Sequence, residues 1–218
     1  MVLRNEDCWY KYVCTYDNCI NCIRYAEMKY LMDESGIPKK KQYPTSLNGD
    51  RDLKAFLELD KIRLDIQNFV DNGESLYIYS EYTGNGKTSW ALKLLLKYFD
   101  SIWAGNGFRV RGYFQHVPTL FNTLKDFSKS HEVLKSTLET VDLVVWDDIA
   151  STKLSDFDRQ QLLIIIDSRV SSGLSNIYTG NITSQSALEL AVGDRLASRI
   201  WNTSTRIEFK GKDRRAEW

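Results

Sequence analysis

Three stretches of this chain carry side chains whose types and spacing can do chemistry. The first is EYTGNGKT, residues 81–88. Gly84 and Gly86 let the backbone curl so that its amides face inward, Lys87 can reach the β and γ phosphates of a nucleotide, and the Thr88 hydroxyl can hold Mg2+. Tyr82, Thr83, Asn85 and Ser89 complete the stretch expected around bound ATP or ADP. The pattern G-x-G-K-[ST] arises by chance in roughly one chain in a hundred of this length, and its setting sharpens it, because strand-like SLYIYS precedes it and an apolar helix follows. The bland alternative is a glycine turn with a surface lysine. One residue departs from the full pattern: Glu81 stands where the first glycine of G-x-x-x-x-G-K-[ST] is expected. A carboxylate there should repel phosphates and points to weaker nucleotide affinity.

The second stretch is LVVWDD, residues 143–148. Four apolar residues bury a strand and deliver Asp147 to its carboxyl end, where a carboxylate binds Mg2+ through water, and Asp148 follows where a general base would polarise attacking water. By itself this pattern reads equally well as a loop cap; about 60 residues after a phosphate loop it reads as the loop's partner. Asn181 ends the strand-like run IYTGN, either as a turn residue or as an amide that positions water. DRLASRIW places Arg195 and Arg199 four apart on one helical face, exposed and ion-paired in one reading and reaching into a neighbouring subunit's nucleotide site in the other. Between Arg206 and Arg215 lie five basic and two acidic residues.

The third stretch is the cysteine cluster Cys8, Cys14, Cys19 and Cys22; the remaining chain has no cysteine. In a reducing compartment four clustered thiolates favour a structural zinc shell over disulfides. The C-x2-C pair is the usual half of such a site, and Cys8 with Cys14 is wider than usual. Free thiols are the alternative. A head this short needs a staple of that kind. The aromatics around it, among them Trp9, Tyr10, Tyr12 and Tyr25, pack over it or face a protein partner. His116 and His131, far from the cysteines in sequence, read as surface or satisfied core residues.

The elements that must position these groups are legible as alternating periods. Apolar positions from Leu53 to Val70 suit one amphipathic helix, ended by Asn72-Gly73. Strands are expected at 75–80, 109–115, 142–147, 175–181 and 205–209. Helices are expected between them, at 89–99, 119–129, 132–140, 156–170, 186–190 and 194–201. Strands separated by helices of this length build a parallel sheet covered on both faces. Segment 35–46 holds two prolines and three successive lysines and reads as a linker, which divides the chain into a head (1–34), a linker (35–50) and a main domain (51–218).

Composition sets the outer bounds. The chain has 218 residues, 43% hydrophobic and 27% charged, with 29 basic and 29 acidic side chains. That excludes a disordered or low-complexity scaffold and a histone-like polycation, so any nucleic-acid contact must come from a local basic face. No apolar run approaches the roughly 20 residues of a membrane span, and the charged start MVLRNEDCWY is unlike a secretory leader. The expected setting is cytoplasmic, in a bacterium or a phage-infected host.

Together these motifs resemble the bacterial helicase-loader ATPases of the DnaC and DnaI type, including phage-encoded versions, and more distantly the IstB transposition helpers and DnaA. The resemblance spans about Ser35 to Arg215. It implies an α/β fold, the AAA+ P-loop core with a five-stranded parallel sheet and no separate lid, preceded by a small zinc-binding head that grips the helicase. EYTGNGKT then resembles the Walker A loop, LVVWDDI the Walker B strand, YTGNIT the sensor 1 segment ending in Asn181, and DRLASR the arginine-finger helix, with Arg195 before Arg199. FKGKDRR is similar to the sensor 2 segment, best matched by Arg215. The function implied is ATP-dependent loading of a DnaB-type ring helicase onto single-stranded DNA, by subunits that self-associate with ATP at their interfaces. Lys125, Lys129 and Lys135 lie where initiator-type relatives contact DNA. The alternatives are an IstB-like transposition ATPase and a non-hydrolysing adaptor or inhibitor of a helicase.

Overall fold

A computed structural model of the chain describes residues 8–15, 19, 21–42, 52–124, 129–151 and 154–213. Helix α1 (Ile23–Glu34) comes first, then a 3-10 turn at Lys39–Lys41. Helices α2 (Leu53–Leu64) and α3 (Ile66–Asp71) lead into strand β1 (Ser75–Tyr79), helix α4 (Lys87–Ile102) and strand β2 (Gly112–His116). Helices α5 (Val117–Leu124) and α6 (Lys129–Thr140), strand β3 (Leu143–Asp147), helix α7 (Asp156–Ser171) and strand β4 (Ser175–Gly180) follow. Helices α8 (Gln185–Val192) and α9 (Asp194–Thr203) precede the last strand, β5 (Ser204–Glu208). Among the described residues no helix follows β5, and none is long and apolar enough to cross a membrane.

The five strands form one parallel sheet in the order β2-β3-β4-β1-β5. Parallel strands need crossovers and so acquire helices on both faces, which is why the central strands are apolar on both sides. Alternation along each strand divides the core in two. Leu76 and Ile78 of β1, with Leu143 and Val145 of β3, face the layer of α1 to α4. Tyr77, Val144 and Trp146 face the layer of α5 to α9. Helix α7 starts in a capping box between Ser155 and Asp158, which satisfies amide groups its first turn leaves open.

Two expectations change. The helix expected over 53–70 breaks at Asp65, whose backbone leaves helical geometry and whose carboxylate accepts from Asn68 Nδ2 at 2.7 Å. The head and linker contain helix α1, which buries Met28, Leu31 and Met32 in the same core as α4. Asp100 on α4 accepts from the Tyr10 hydroxyl at 2.6 Å and from Arg24 at 2.5 Å, and Lys97 adds an ion pair at 2.8 Å. Glu27, buried, accepts from Asn106 Nδ2 at 3.1 Å. Beyond α1 the Ser35 carbonyl accepts from the Phe114 amide at 2.7 Å, so the first residues of the segment expected as a linker sit against the edge strand β2.

Candidate nucleotide site

The loop between β1 and α4 owes its shape to its glycines. Gly84 has φ 70° and Gly86 φ 102°, the left-handed region that side chains avoid. Gly86 occupies the N-cap of α4 and no side chain caps that helix, so its first amides stay directed out of the helix start, the arrangement that receives an anion. The loop is braced from behind by Asn85, fully buried, whose Nδ2 donates to Ser80 Oγ at 2.7 Å and to the Gly211 carbonyl at 3.0 Å. The Asp52 carboxylate in turn accepts from the amides of Lys210 and Gly211. Lys87 donates from Nζ to the Tyr82 carbonyl at 2.7 Å and to Asn85 Oδ1 at 3.3 Å. Tyr82 and Thr83 are exposed, and Thr88 and Ser89 are half-buried in the first turn of α4. Glu81 is exposed and is absent from the positive-φ residues, so a side chain is sterically compatible with the start of this loop.

Across from the loop, β3 delivers Asp147, 4% exposed. Its Oδ1 accepts from the Thr88 hydroxyl at 2.6 Å and from the Thr179 hydroxyl at 2.8 Å. The hydroxyl and carboxylate oxygens brought together at the loop are the hard donors that Mg2+ selects, so these residues suit that ion. Asp148 is half-buried and sits at φ 63°, with its amide donating to Thr179 Oγ1 at 2.9 Å. Asn181 follows β4, which lies between β1 and β3. Its Oδ1 is a buried acceptor without a hydrogen-bond partner among the described residues. A group of that kind is costly to leave unmade, and its place between loop and aspartates suits a water or phosphate-bound donor.

Two residues of this neighbourhood escaped the sequence reading. His116, expected to be a surface or core residue, ends β2 with its Nδ1 3.5 Å from Asp147 Oδ2. It lines a cleft of about 460 Å3 with Pro38, Lys41, Gln115, Thr119 and Asp147. Register β2 to β3, which sets His116 opposite Asp147, is the signal that finds it. Thr179 falls within an expected strand and the sensor 1-like segment YTGNIT, and nothing in the sequence assigns it a role of its own.

Other expected residues lie outside this group. Arg195 is exposed at the start of α9, and Arg199 donates to Asp167 of α7 at 2.6 Å. Arg215 and Lys125 lie outside the described residues, as does the side chain of Lys129. Lys135 is 4.0 Å from Glu139 within α6. The expected zinc site is not shown. Among the described residues no three His, Cys, Asp or Glu side chains come close enough to share a metal ion, whereas a zinc shell needs four donors around one point. Cys8 is buried, beside Trp9 and Tyr10, which are tied to Gln42 and Asp100. Cys19 and Cys22 line a different cleft with Tyr25, Lys29, Tyr30 and Asp33. The thiols as arranged do not suit zinc.

No family model and no curated protein sequence matches the chain. Solved structures match in fold. The DnaC helicase loader aligns with TM-score 0.66 and 23% identity, covering 79% of this chain and 100% of that one. DnaI aligns with TM-score 0.60 and 19% identity over 86% of this chain and 93% of that one. AMPPCP-bound DnaA from Aquifex aeolicus aligns with TM-score 0.60 and 17% identity over 78% of this chain, which spans 50% of DnaA. The sheet order, the loop after β1 and the aspartates at the end of β3 thus sit in an α/β fold with a five-stranded parallel sheet, a fold this chain shares with the DnaC helicase loader, DnaI and DnaA.

Proposed function

We propose that this chain is an ATP-dependent loader of a replicative ring helicase, using nucleotide bound between subunits to place the helicase on single-stranded DNA. The observation that carries the reading is the pairing of Thr88 with Asp147 at 2.6 Å beneath an uncapped helix start, within a fold shared with the DnaC helicase loader and with DnaI. Phosphates lie against the amides of residues 84–88, and Lys87 turns from the Tyr82 carbonyl to the β and γ oxygens. Thr88 and Asp147 would hold Mg2+, which supplies charge neutralisation on the transferred phosphoryl group. Asp148 orients the attacking water and takes its proton, and Asn181 holds that water through its unpaired Oδ1. Arg195, exposed and free of the intrachain pair that holds Arg199 to Asp167, is the side chain assigned to a neighbour's γ-phosphate. Gly211 is braced against the loop, and Arg215, outside the described residues, is assigned to the same nucleotide on the resemblance alone.

DNA is assigned to the basic residues of α6 and the stretch before it, Lys125, Lys129 and Lys135. The helicase is assigned to the head, whose turn exposes Tyr12 and Val13 at 89% and 79%, beside Lys11. A second reading, a helicase adaptor that binds nucleotide without turnover, draws on Asp148, whose side chain is a methylene shorter than the glutamate many NTPases use there.

The test mixes the purified chain with a DnaB-type helicase, with and without ATP, and measures the mass of any complex by light scattering alongside ATP turnover with single-stranded DNA. A complex together with DNA-stimulated turnover is expected. A complex without turnover selects the adaptor. ATP binding without a complex overturns the loader reading and favours a transposition-type helper.

A further inference from the structure

The hydrogen-bonded ladder between β3 and β4 stops at Trp146 and Tyr178, just before the two aspartates. After Asp147 the chain ends β3 in a turn with Asp148 at φ 63° and Ala150 at φ 103°, angles that side chains rarely adopt and that persist where surroundings enforce them. Thr179 of β4, 2% exposed, supplies that enforcement. Its hydroxyl donates to Asp147 Oδ1 at 2.8 Å and accepts from the Asp148 amide at 2.9 Å, while its carbonyl accepts from the Ile149 amide at 2.8 Å. A threonine hydroxyl has one proton. With the Asp148 amide on its oxygen, that proton is committed to Asp147.

We propose that Thr179 is the positioning residue of this site, fixing Asp147 toward the metal and Asp148 toward the attacking water; this deepens the ATPase reading and rests on it. In this role Thr179 acts on Asp147 and Asp148 rather than on nucleotide or metal. Its effect passes through the two carboxylates, and Asn181 follows two residues further along the same chain, just past the end of β4. A small displacement at the end of β4 therefore moves the amide and both acids together. A threonine that served packing alone would be replaced without functional loss by valine, which has nearly its shape and neither hydrogen bond.

The test compares the full chain with Thr179→Val and Thr179→Ser. It uses steady-state ATP kinetics, AMPPCP affinity with Mg2+ and with EDTA, and thermal melting by circular dichroism. Thr179→Val is expected to lower kcat about tenfold or more while KM stays within about threefold, the pattern of lost transition-state alignment. It is also expected to lose about threefold or more of the tightening that Mg2+ gives AMPPCP. Thr179→Ser keeps the hydroxyl and should stay within about threefold of wild type on both readouts. The proposal is overturned if Thr179→Val keeps both kcat and the Mg2+ effect within about twofold, or if Thr179→Ser falls as far as valine while melting with wild type. If the valine variant does not fold, the serine variant decides by the same limits. A wild-type chain that binds AMPPCP without turning over ATP defeats the hydrolysis reading separately; the Mg2+ effect then judges Thr179 alone.

Discussion

At the scale of single residues, the chain separates groups that hold the site from groups that hold the fold. Glu81 belongs to the first kind. It is exposed and its backbone is ordinary, so its effect on phosphate is a charge effect through solvent. Glu81→Gln should therefore raise ATP affinity by no more than about threefold at physiological salt, with a larger gain at low salt; titration with a fluorescent ATP analogue at two ionic strengths checks it. Arg169 belongs to the second kind. It is fully buried, forms no ion pair among the described residues, and donates to the carbonyls of Leu138, Val141 and Ser175 and to Asn176 Oδ1. Burial pulls its guanidinium down to about 10. It stays charged at neutral pH and ties the end of α6 to the starts of β3 and β4, at the amino-terminal end of the sheet and away from the nucleotide loop. Arg169→Leu strands those carbonyls and should cost about 3 to 5 kcal/mol in urea unfolding, with nucleotide affinity per folded molecule unchanged.

Among the elements, the decisive contact is that of the head with α4. Burial opposes ionisation of Asp100, and hydrogen bonds from Lys97, Tyr10 and Arg24 overcome it, holding the carboxyl at about 2 against an ordinary 3.8. A depressed acid stabilises the folded state fully above its unfolded value and loses that contribution as pH falls through its folded value. The docking of α1 should thus weaken between about pH 4 and pH 2. Discounted for partial exposure, Asp100→Asn should cost about 1 to 2 kcal/mol at pH 6, and that difference from wild type should vanish near pH 2 in paired urea melts. This docking was not legible in the sequence. Helix α1 buries Glu27 beside Met28, so its apolar stripe is interrupted, and its partners Asp100 and Asn106 are 76 and 79 residues away. The loop and the Walker-type strand were legible because their chemistry is local: Gly84, Gly86, Lys87 and Thr88 are adjacent, and four apolar residues announce Asp147. Thr179 and His116 were not, since each meets an aspartate only through strand register. The break at Asp65 was hidden for a different reason: Phe56, Leu59, Ile62, Ile66 and Phe69 keep a helical spacing across it. The zinc reading rests on cysteine spacing, which records how close thiols can come, whereas the packing of Trp9 and Tyr10 against Gln42 and Asp100 fixes the chain beside Cys8.

For the whole molecule, the proposed division of one reaction between two subunits makes a prediction that no single-chain property imitates. Arg195 is exposed on α9, and Arg199 is engaged with Asp167. If Arg195 acts on a neighbour's nucleotide, subunits must meet head to tail, the heterologous arrangement that builds rings and spirals. A Lys87→Ala subunit then lacks a working loop and keeps its arginine, while an Arg195→Ala subunit keeps its loop and lacks the arginine. Each alone should turn over ATP at least about a hundredfold more slowly than wild type. Mixed in equal amounts, about a quarter of the interfaces would join an intact loop to an intact arginine, and turnover should return toward that fraction of wild type. Arg199→Ala, which breaks only an exposed pair worth about 0.5 kcal/mol, should remain active alone. Recovery by mixing separates a shared site from a merely damaged one, because two subunits crippled within their own folds gain nothing from each other. Absence of recovery, with both variants folded and self-associating, would place the arginine's action within its own chain.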